Sequence, residues 1–233
     1  VTTNLVLSGG PTHDLAATSA RLAETLAPDG VESFVVDDLH EAFERLVDPR
    51  ATWDLVTVNA LRWQMGAERY GDLRDEWSFT LRDDEAEALA GHVRRGGGLL
   101  ALHTAVVCFD AHPAWHSIVG ASWDWDRSSH PPVAEVTVTV TEAGRRHPMT
   151  EGLESFSVVD EVYGFLDEEP DLVALLTGDH GGRAHPLLWA RQVGEGRVVT
   201  SLLGHSVEAC AHPANACILR RGARWALGEE GRR

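Results

Sequence analysis

The sequence predicts a doubly wound α/β fold, with a mostly parallel sheet and helices on both faces. Three observations point there. Short apolar runs alternate with amphipathic segments through the N-terminal half, the βαβ rhythm that builds a parallel sheet. Aspartates stand where the amphipathic segments begin, as helix caps do. The chain has 233 residues, enough for one such domain with a sizeable core.

Asn4–Ser8 reads as a buried strand ending in Gly9, Gly10 and Pro11, and Asp14 caps a helix to about Leu26. Pro28–Gly30 stop that helix, and Val31–Val36 is the next strand. Asp37 or Asp38 opens a short acidic helix through Leu46, and Trp53–Asn59 is a third strand. Residues 60–82 show no period and are rich in tryptophan and arginine. Asp83 and Asp84 open a helix that ends on Arg94 and Arg95, the charge order the helix dipole favours. Gly96–Gly98 close it before a fourth strand, Leu99–Leu102. Further strands are predicted at Val133–Thr141, Val158–Leu166, Leu172–Leu176, Pro186–Gln192 and Arg197–Leu203, and a last helix at Pro213–Leu227. No repeat or low-complexity linker interrupts the pattern. The expectation is a single domain over residues 1–228 with a loose tail at 229–233.

Composition excludes several chemistries. All 20 basic residues are arginine, against 36 acidic ones, for a net charge of −16. Without lysine there is no lysine Schiff base, so no ordinary pyridoxal enzyme or class I aldolase, and no Walker A phosphate lysine. The acidity argues against nucleic acid and anionic membranes as partners. Three cysteines, Cys108, Cys210 and Cys217, form no C-x-x-C pair, which fits a reduced cytoplasmic setting and no zinc ribbon. The first strand is preceded by no basic n-region or apolar h-region, so a secretory leader is not expected, and no apolar stretch is long enough to span a bilayer. Twelve histidines are the main functional lead.

In doubly wound sheets ligands bind beyond the carboxyl ends of the strands, which singles out Ser8–Asp14, Asn59–Arg62, His103–Thr104 and Gly204–Ser206. His103 occupies the place of a nucleophile elbow, in the frame Ala101-Leu102-His103-Thr104-Ala105. An imidazole there serves as base, hydrogen-bond donor or metal ligand, or merely shapes the turn. Cys108, five residues on, reads as a packed thiol rather than a displaced nucleophile. His205 follows the run Val198–Leu203, with the same alternatives. His130 sits in a Ser-His-Pro-Pro loop just after Trp123-Asp124-Trp125-Asp126, where rings beside carboxylates suit a sugar or else cover the core edge. In the predicted strand Val158–Leu166, alternation places Glu161 and Tyr163 on one face and Asp160 on the other. Glu161 then acts as acid/base or metal ligand, or rests in water on an edge strand. His112-x-x-x-His116 has zincin spacing, but Pro113 stands where that motif's catalytic glutamate belongs and suggests a helix N1, with His112 at or near the cap.

Together these segments resemble the ThuA-like family of trehalose-utilisation proteins, over about Leu5 to Gly228. The matching pieces are Gly97–His103, Ile118–Gly120, His130-Pro131, His147–Leu153, Asp160–Tyr163, Pro186–Trp189, Gly194–Val199, Leu203–His205 and Trp225-Ala226. Gly120-Ala121 departs from the family's Gly-Gly pair, and residues 60–82 match nothing in it. The resemblance implies a flavodoxin-like, class I glutamine amidotransferase-like fold without amidotransferase chemistry. It also implies a role in using trehalose or related disaccharides through keto-sugars made by a partner dehydrogenase.

The resulting expectation is a pocket formed by His103, His130, Glu161 and His205, lined by His13, Asp160, Tyr163, Trp123, Trp125 and Trp189. It would act on a sugar carbonyl by acid/base catalysis, or hold one divalent metal such as zinc on those three histidines and the glutamate. The rival expectation is a non-catalytic sugar-binding or regulatory protein on a retired amidotransferase scaffold. A homo-oligomer is expected on general grounds.

Overall fold

The computed structural model describes residues 1–110 and 112–229. Its strands are β1 (Thr2–Gly9), β2 (Val31–Val36), β3 (Leu55–Ala60), β4 (Gly98–Leu102), β5 (Ala121–Ser122), β6 (Ala134–Val140), β7 (Phe156–Asp160), β8 (Asp167–Glu168), β9 (Ala174–His180), β10 (Arg183–Val193) and β11 (Gly196–Ser201). The helices are α1 (Leu15–Leu26), α2 (Leu39–Val47), α3 (Gly71–Trp77), α4 (Asp83–Arg94), α5 (Pro113–Val119), α6 (Glu142–Arg146), α7 (Val207–Ala211) and α8 (Pro213–Ala226).

Nine strands make one sheet in the order β2-β1-β3-β4-β11-β10-β9-β6-β7. The first five run parallel, and β10, β9, β6 and β7 extend the sheet by antiparallel pairing. The reason for the change is local. Gly181 and Gly182, both at positive φ, close the two-residue β9–β10 hairpin, and Gly194 begins the β10–β11 turn. Such turns allow only antiparallel neighbours. The doubly wound class is therefore present, with an antiparallel extension on one side.

Alternation along the central strands sends side chains to two cores. Val6, Leu55 and Leu100 pack with Leu22 of α1 and Ile218 of α8. Leu5, Val58 and Leu99 pack with Phe43 of α2, Leu89 of α4 and Trp115 of α5 on the other face. β3 and β4 are buried throughout, as strands covered on both faces must be.

The caps follow the sequence reading with one difference. Asp14 accepts Ala17 N–H at 3.0 Å, and Asp38 accepts the N–H groups of His40 and Glu41. At α4 the acids Asp83 and Asp84 lie inside the first turn, and it is Glu85 that reaches back to Arg82 N–H at 2.9 Å. Three spans need correction. The strand expected over Val158–Leu166 stops at Asp160, because residues beyond it leave the sheet to enter the site. The one expected over Leu172–Leu176 begins at Ala174 and continues to His180. Residues 60–82 are not wholly irregular, since they include the 3-10 turn Glu68–Tyr70 and α3. The expected tail falls mostly on residues 230–233, outside the described residues, while Glu229 N–H donates to Arg224 O at 2.8 Å. Among the described residues, no helix is long and apolar enough to cross a membrane.

The order of strands reverses between β1 and β3, so the crevice for a ligand opens past their carboxyl ends. The loops after β1, β4, β7 and β11 all reach that edge.

Candidate functional site

Four backbone features deliver four side chains to one point. After β1, Gly9 and Gly10 take positive φ, and a Cβ on either would collide with the carbonyl of Asp37 or of Leu61. This tight path carries the chain through Thr12, also at positive φ (68°), to His13. After β4, His103 itself sits at φ 47°, a strained conformation for a non-glycine residue. It is held there by Thr104, whose hydroxyl donates to Ala60 O at 2.6 Å. After β11, Gly204 at φ 134° turns the chain to present His205. After β7, Glu161 enters from the antiparallel side.

His13, His103, Glu161 and His205 each offer one donor atom, and these atoms all lie within 4.8 Å of one another. Oε2 of Glu161 stands 3.1 Å from His205 Nδ1, 3.6 Å from His103 Nε2 and 4.0 Å from His13 Nε2. Its other oxygen, Oε1, meets His130 Nδ1 at 3.0 Å. The three inner imidazoles pack edge to face, with centroids 4.7–5.6 Å apart.

The protonation pattern follows from the outer contacts. His103 is 1 % exposed, and its Nδ1–H donates to Leu202 O at 2.7 Å. That bond assigns the proton to Nδ1 and leaves the Nε2 lone pair facing the cluster. Burial pushes the His103 pKa down to about 3, so the ring is neutral. Burial also opposes charge on Glu161, but the surrounding imidazoles, His13 first, outweigh it and hold its pKa at about 2. An ionised carboxylate thus faces the neutral Nε2 lone pair of His103. His13 Nε2, His205 Nδ1 and Glu161 Oε2 are buried without a hydrogen-bond partner. Each such atom calls for an explanation, and three of them converging on one point suit a shared ligand.

Asp160 is fully buried, and its carboxylate accepts N–H groups from Gly204 (2.8 Å), Glu161 (2.9 Å) and His205 (3.2 Å). Burial raises its pKa to about 6 against the pull of those bonds. The expectation that Asp160 lines the pocket is therefore corrected: it fastens the two chain segments that carry Glu161 and His205. Tyr163 does reach the site, with its hydroxyl 3.4 Å from His103 Nε2. Burial, then the carboxylate charges of Glu161 and Asp160, raise its pKa well above the ordinary tyrosine value.

The other expected residues divide. His130 lies at the mouth, its side chain 44 % exposed, against the outer oxygen of Glu161 rather than among the inner donors. His13, expected as lining, takes the inner position instead. Trp123 closes one side, with its ring 5.4 Å from that of Tyr163 and 6.0 Å from that of His130. Trp125 lies one ring further out, 6.2 Å from Trp123. Trp189 is excluded from the site. It is fully buried, its indole N–H donates to Val119 O at 2.7 Å, and no ligand can reach it. It belongs to the continuous apolar run Leu187–Trp189, which is fully buried.

Cys108 is buried, donates to Ala60 O at 2.9 Å, and has a thiol that burial pushes up to about 12. That rules out a resting nucleophile. His112 and His116 turn to separate acids, Asp83 and Glu169. Sequence reasoning missed Trp63 and Tyr70, which pack against Trp125 from the segment without periodicity. A cavity of about 620 Å³ opens at the opposite end of the strands beside Trp53, His92 and Arg95. Among the described residues it brings together no comparable set of donors.

The fold and this edge define a class: a flavodoxin-like α/β protein with a histidine–glutamate cluster at the topological switch point. The chain belongs to the ThuA family, described as trehalose utilisation, whose model matches residues 5–226. It is similar to a ThuA-like protein from Parabacteroides merdae ATCC 43184, with 19% identity and TM-score 0.76 over 100% of this chain and 92% of that one. A second ThuA-like protein, from Bacteroides uniformis ATCC 8492, has 17% identity and TM-score 0.69 over 97% and 91%. A cytoplasmic protein from Salmonella typhimurium has 14% identity and TM-score 0.62 over 97% and 99%. Among curated proteins the chain has no match. Family membership supports a carbohydrate-related function.

Proposed function

We propose that this chain is a carbohydrate-processing enzyme that binds one divalent cation, with zinc the best fit, between His13, His103, Glu161 and His205. The single observation that carries the reading is the set of buried donors on His13, His205 and Glu161 that meet at one point without a hydrogen-bond partner. Imidazole and carboxylate are ordinary zinc donors, and a catalytic zinc would take three of these four and leave one position for substrate. Donors within 4.8 Å of one another are slightly wider apart than the roughly 3.4 Å edge of a zinc tetrahedron, within reach of small side-chain rotations. The Nδ1–H of His103 bonded to Leu202 O supplies the outer support that metal-ligating histidines need.

When bound, the cation supplies Lewis acidity toward a carbonyl oxygen. The chain's own groups supply the rest. His130, on the solvent side of Glu161, exchanges protons between substrate and water. The Tyr163 hydroxyl, neutral at any ordinary pH, donates a hydrogen bond to oxygen developing negative charge. Trp123 offers a flat apolar wall to a sugar face. Together these groups suit proton transfer next to the carbonyl of a keto-sugar, as in isomerisation or elimination. A cytoplasmic setting accords with the unpaired thiols.

Metal analysis of protein purified without a histidine tag is the test. About one equivalent of zinc, lost in Glu161→Gln and His103→Ala, is expected. Less than a tenth of an equivalent after zinc reconstitution overturns the metal reading. Sugar binding without turnover of any keto-sugar makes the protein a binding or regulatory one instead.

A further inference from the structure

His13 reaches the cluster through a turn that proteins seldom use. Its backbone N–H donates to Pro11 O at 2.9 Å, and the residue between them, Thr12, sits at φ 68°. A hydrogen bond from residue i+2 back to residue i, with positive φ at the centre, defines a γ-turn of the rare and strained kind. Threonine makes that conformation costlier still, because a β-branched side chain crowds the backbone there. The chain has glycine at positions 9 and 10, where φ is also positive, yet threonine at 12.

Thr12 is exposed, so packing does not explain its choice. Its hydroxyl does have a partner: Oγ1 lies 3.1 Å from His13 Nδ1. A hydroxyl that accepts Nδ1–H leaves the lone pair on Nε2, the atom that faces Glu161 Oε2 at 4.0 Å and has no hydrogen bond of its own. His103 is arranged the same way, with Nδ1–H on Leu202 O and Nε2 inward.

Strain persists only where the surroundings fix it. Both ends of this loop are clamped by a buried polar network. Ser8 Oγ donates to Leu15 O at 3.4 Å, across the whole loop, and Ser19 Oγ donates to Ser8 Oγ at 3.0 Å. Asn59 of β3 donates to Ser19 Oγ at 2.8 Å and to Thr18 Oγ1 at 3.0 Å. Ser8, Thr18, Ser19 and Asn59 are all buried. With β1, β3 and α1 joined beneath it, the loop cannot relax by shifting its ends.

We propose that Thr12 is a positioning residue. Its strained γ-turn aims the His13 ring at the cluster, and its hydroxyl holds the tautomer that turns the Nε2 lone pair inward. This rests on the reading of His13 as a metal ligand and adds the residue that makes it one.

Three variants of the full chain test it: Thr12→Ser keeps the hydroxyl, Thr12→Val keeps the branching without it, and Thr12→Gly removes both strain and hydroxyl. Zinc affinity is expected to stay within about threefold of wild type in Thr12→Ser and to fall about tenfold in Thr12→Val and Thr12→Gly. The urea midpoint of metal-free Thr12→Gly is expected at or above that of wild type, because glycine takes positive φ without strain. A merely structural residue gives the reverse, a lower midpoint. Nitrogen-15 NMR of the metal-free protein at about pH 8, above the ordinary histidine range, reads the tautomer directly. The His13 signal, assigned by its loss in His13→Gln, is expected as Nδ1–H in wild type and Thr12→Ser, with that form depleted in Thr12→Val. Wild-type His13 in the Nε2–H form, wild-type zinc affinity in Thr12→Val, or a lower midpoint in Thr12→Gly overturns the proposal. Absence of zinc from reconstituted wild type sinks the metal reading alone, and the tautomer and the urea midpoint still decide this one.

Discussion

The buried carboxylate of Asp160 accepts the backbone N–H of His205 at 3.2 Å, and with it the N–H groups of Gly204 and Glu161. One side chain thus ties the end of β7 to the loop after β11, so the distance between Glu161 and His205 depends on a residue that touches no ligand. Asp160→Asn sets an amide NH₂ against the N–H of Gly204, or against those of Glu161 and His205 if the amide is flipped. Zinc affinity is expected to fall about 10- to 100-fold, the usual effect of losing an outer support. The asparagine variant keeps the volume, so its circular dichroism spectrum stays native. Unchanged zinc affinity in a folded variant contradicts the role.

His130 and the inner histidines separate by their readouts. His130 meets Glu161 Oε1, away from the shared donor cluster. His130→Ala is expected to retain metal while losing turnover of a keto-sugar by about 10²-fold or more, the range of a lost proton-transfer group. His13→Ala is expected to lose the metal. Comparing zinc stoichiometry with initial rates in both variants checks the assignment.

The thiols should react unequally. Cys108 and Cys210 are buried, and burial pushes both up to about 12. Cys217 is partly exposed. Iodoacetamide on the folded protein is expected to add one label, at Cys217, by peptide mass spectrometry, with activity intact. Rapid labelling of Cys108 would reopen a cysteine mechanism.

Trp189 is a test of core against site. Trp189→Phe leaves the carbonyl of Val119 without its indole donor and opens a small void, at a cost of about 1–3 kcal/mol. Thr200 Oγ also donates to that carbonyl, which moderates the loss. Urea unfolding should show the destabilisation, while zinc and sugar affinities stay at wild-type values.

Asp29 and Arg220 join the turn after α1 to α8 by two hydrogen bonds, at 2.7 and 2.9 Å. The hydrogen bond from Arg220 lowers the Asp29 pKa below its ordinary 3.8. A lowered folded pKa means stability present above about pH 4 and lost as pH falls through the folded value. Because Arg220 is half exposed, the contribution is below about 1 kcal/mol. Asp29→Asn is expected to shift the urea midpoint slightly at pH 7. In repeated melts at falling pH, the gap between variant and wild type should close below pH 3.8. A gap that persists there means the pair does not carry the effect.

Much of the molecule was legible along the chain because its causes are local. A period of two or 3.6, an aspartate cap or a Gly-Gly turn involves neighbours a few residues apart. These place β1–β4, α1, α2 and α8 and put His103 and His205 at strand ends. Glu161 and Tyr163 also stood out as polar residues within an apolar run. The same local logic failed for residues 60–82, where Trp63 and Tyr70 are ordered by packing on Trp125 rather than by any period.

Tertiary structure alone decided which candidates meet. His103 receives its tautomer from Leu202, 99 residues away, because β4 pairs with β11 in the register Leu102 to Ser201. His13 enters the inner set, and His130 remains at the mouth, because the loops after β1 and before β6 approach Glu161 from opposite oxygens. Trp189 goes to the core because β10 is covered on the face that carries it. The composition and strand ends specified a histidine-rich site at the carboxyl edge. Its membership depends on strand order and on which side of one carboxylate each loop arrives, and these are set by long-range pairing that no local pattern encodes.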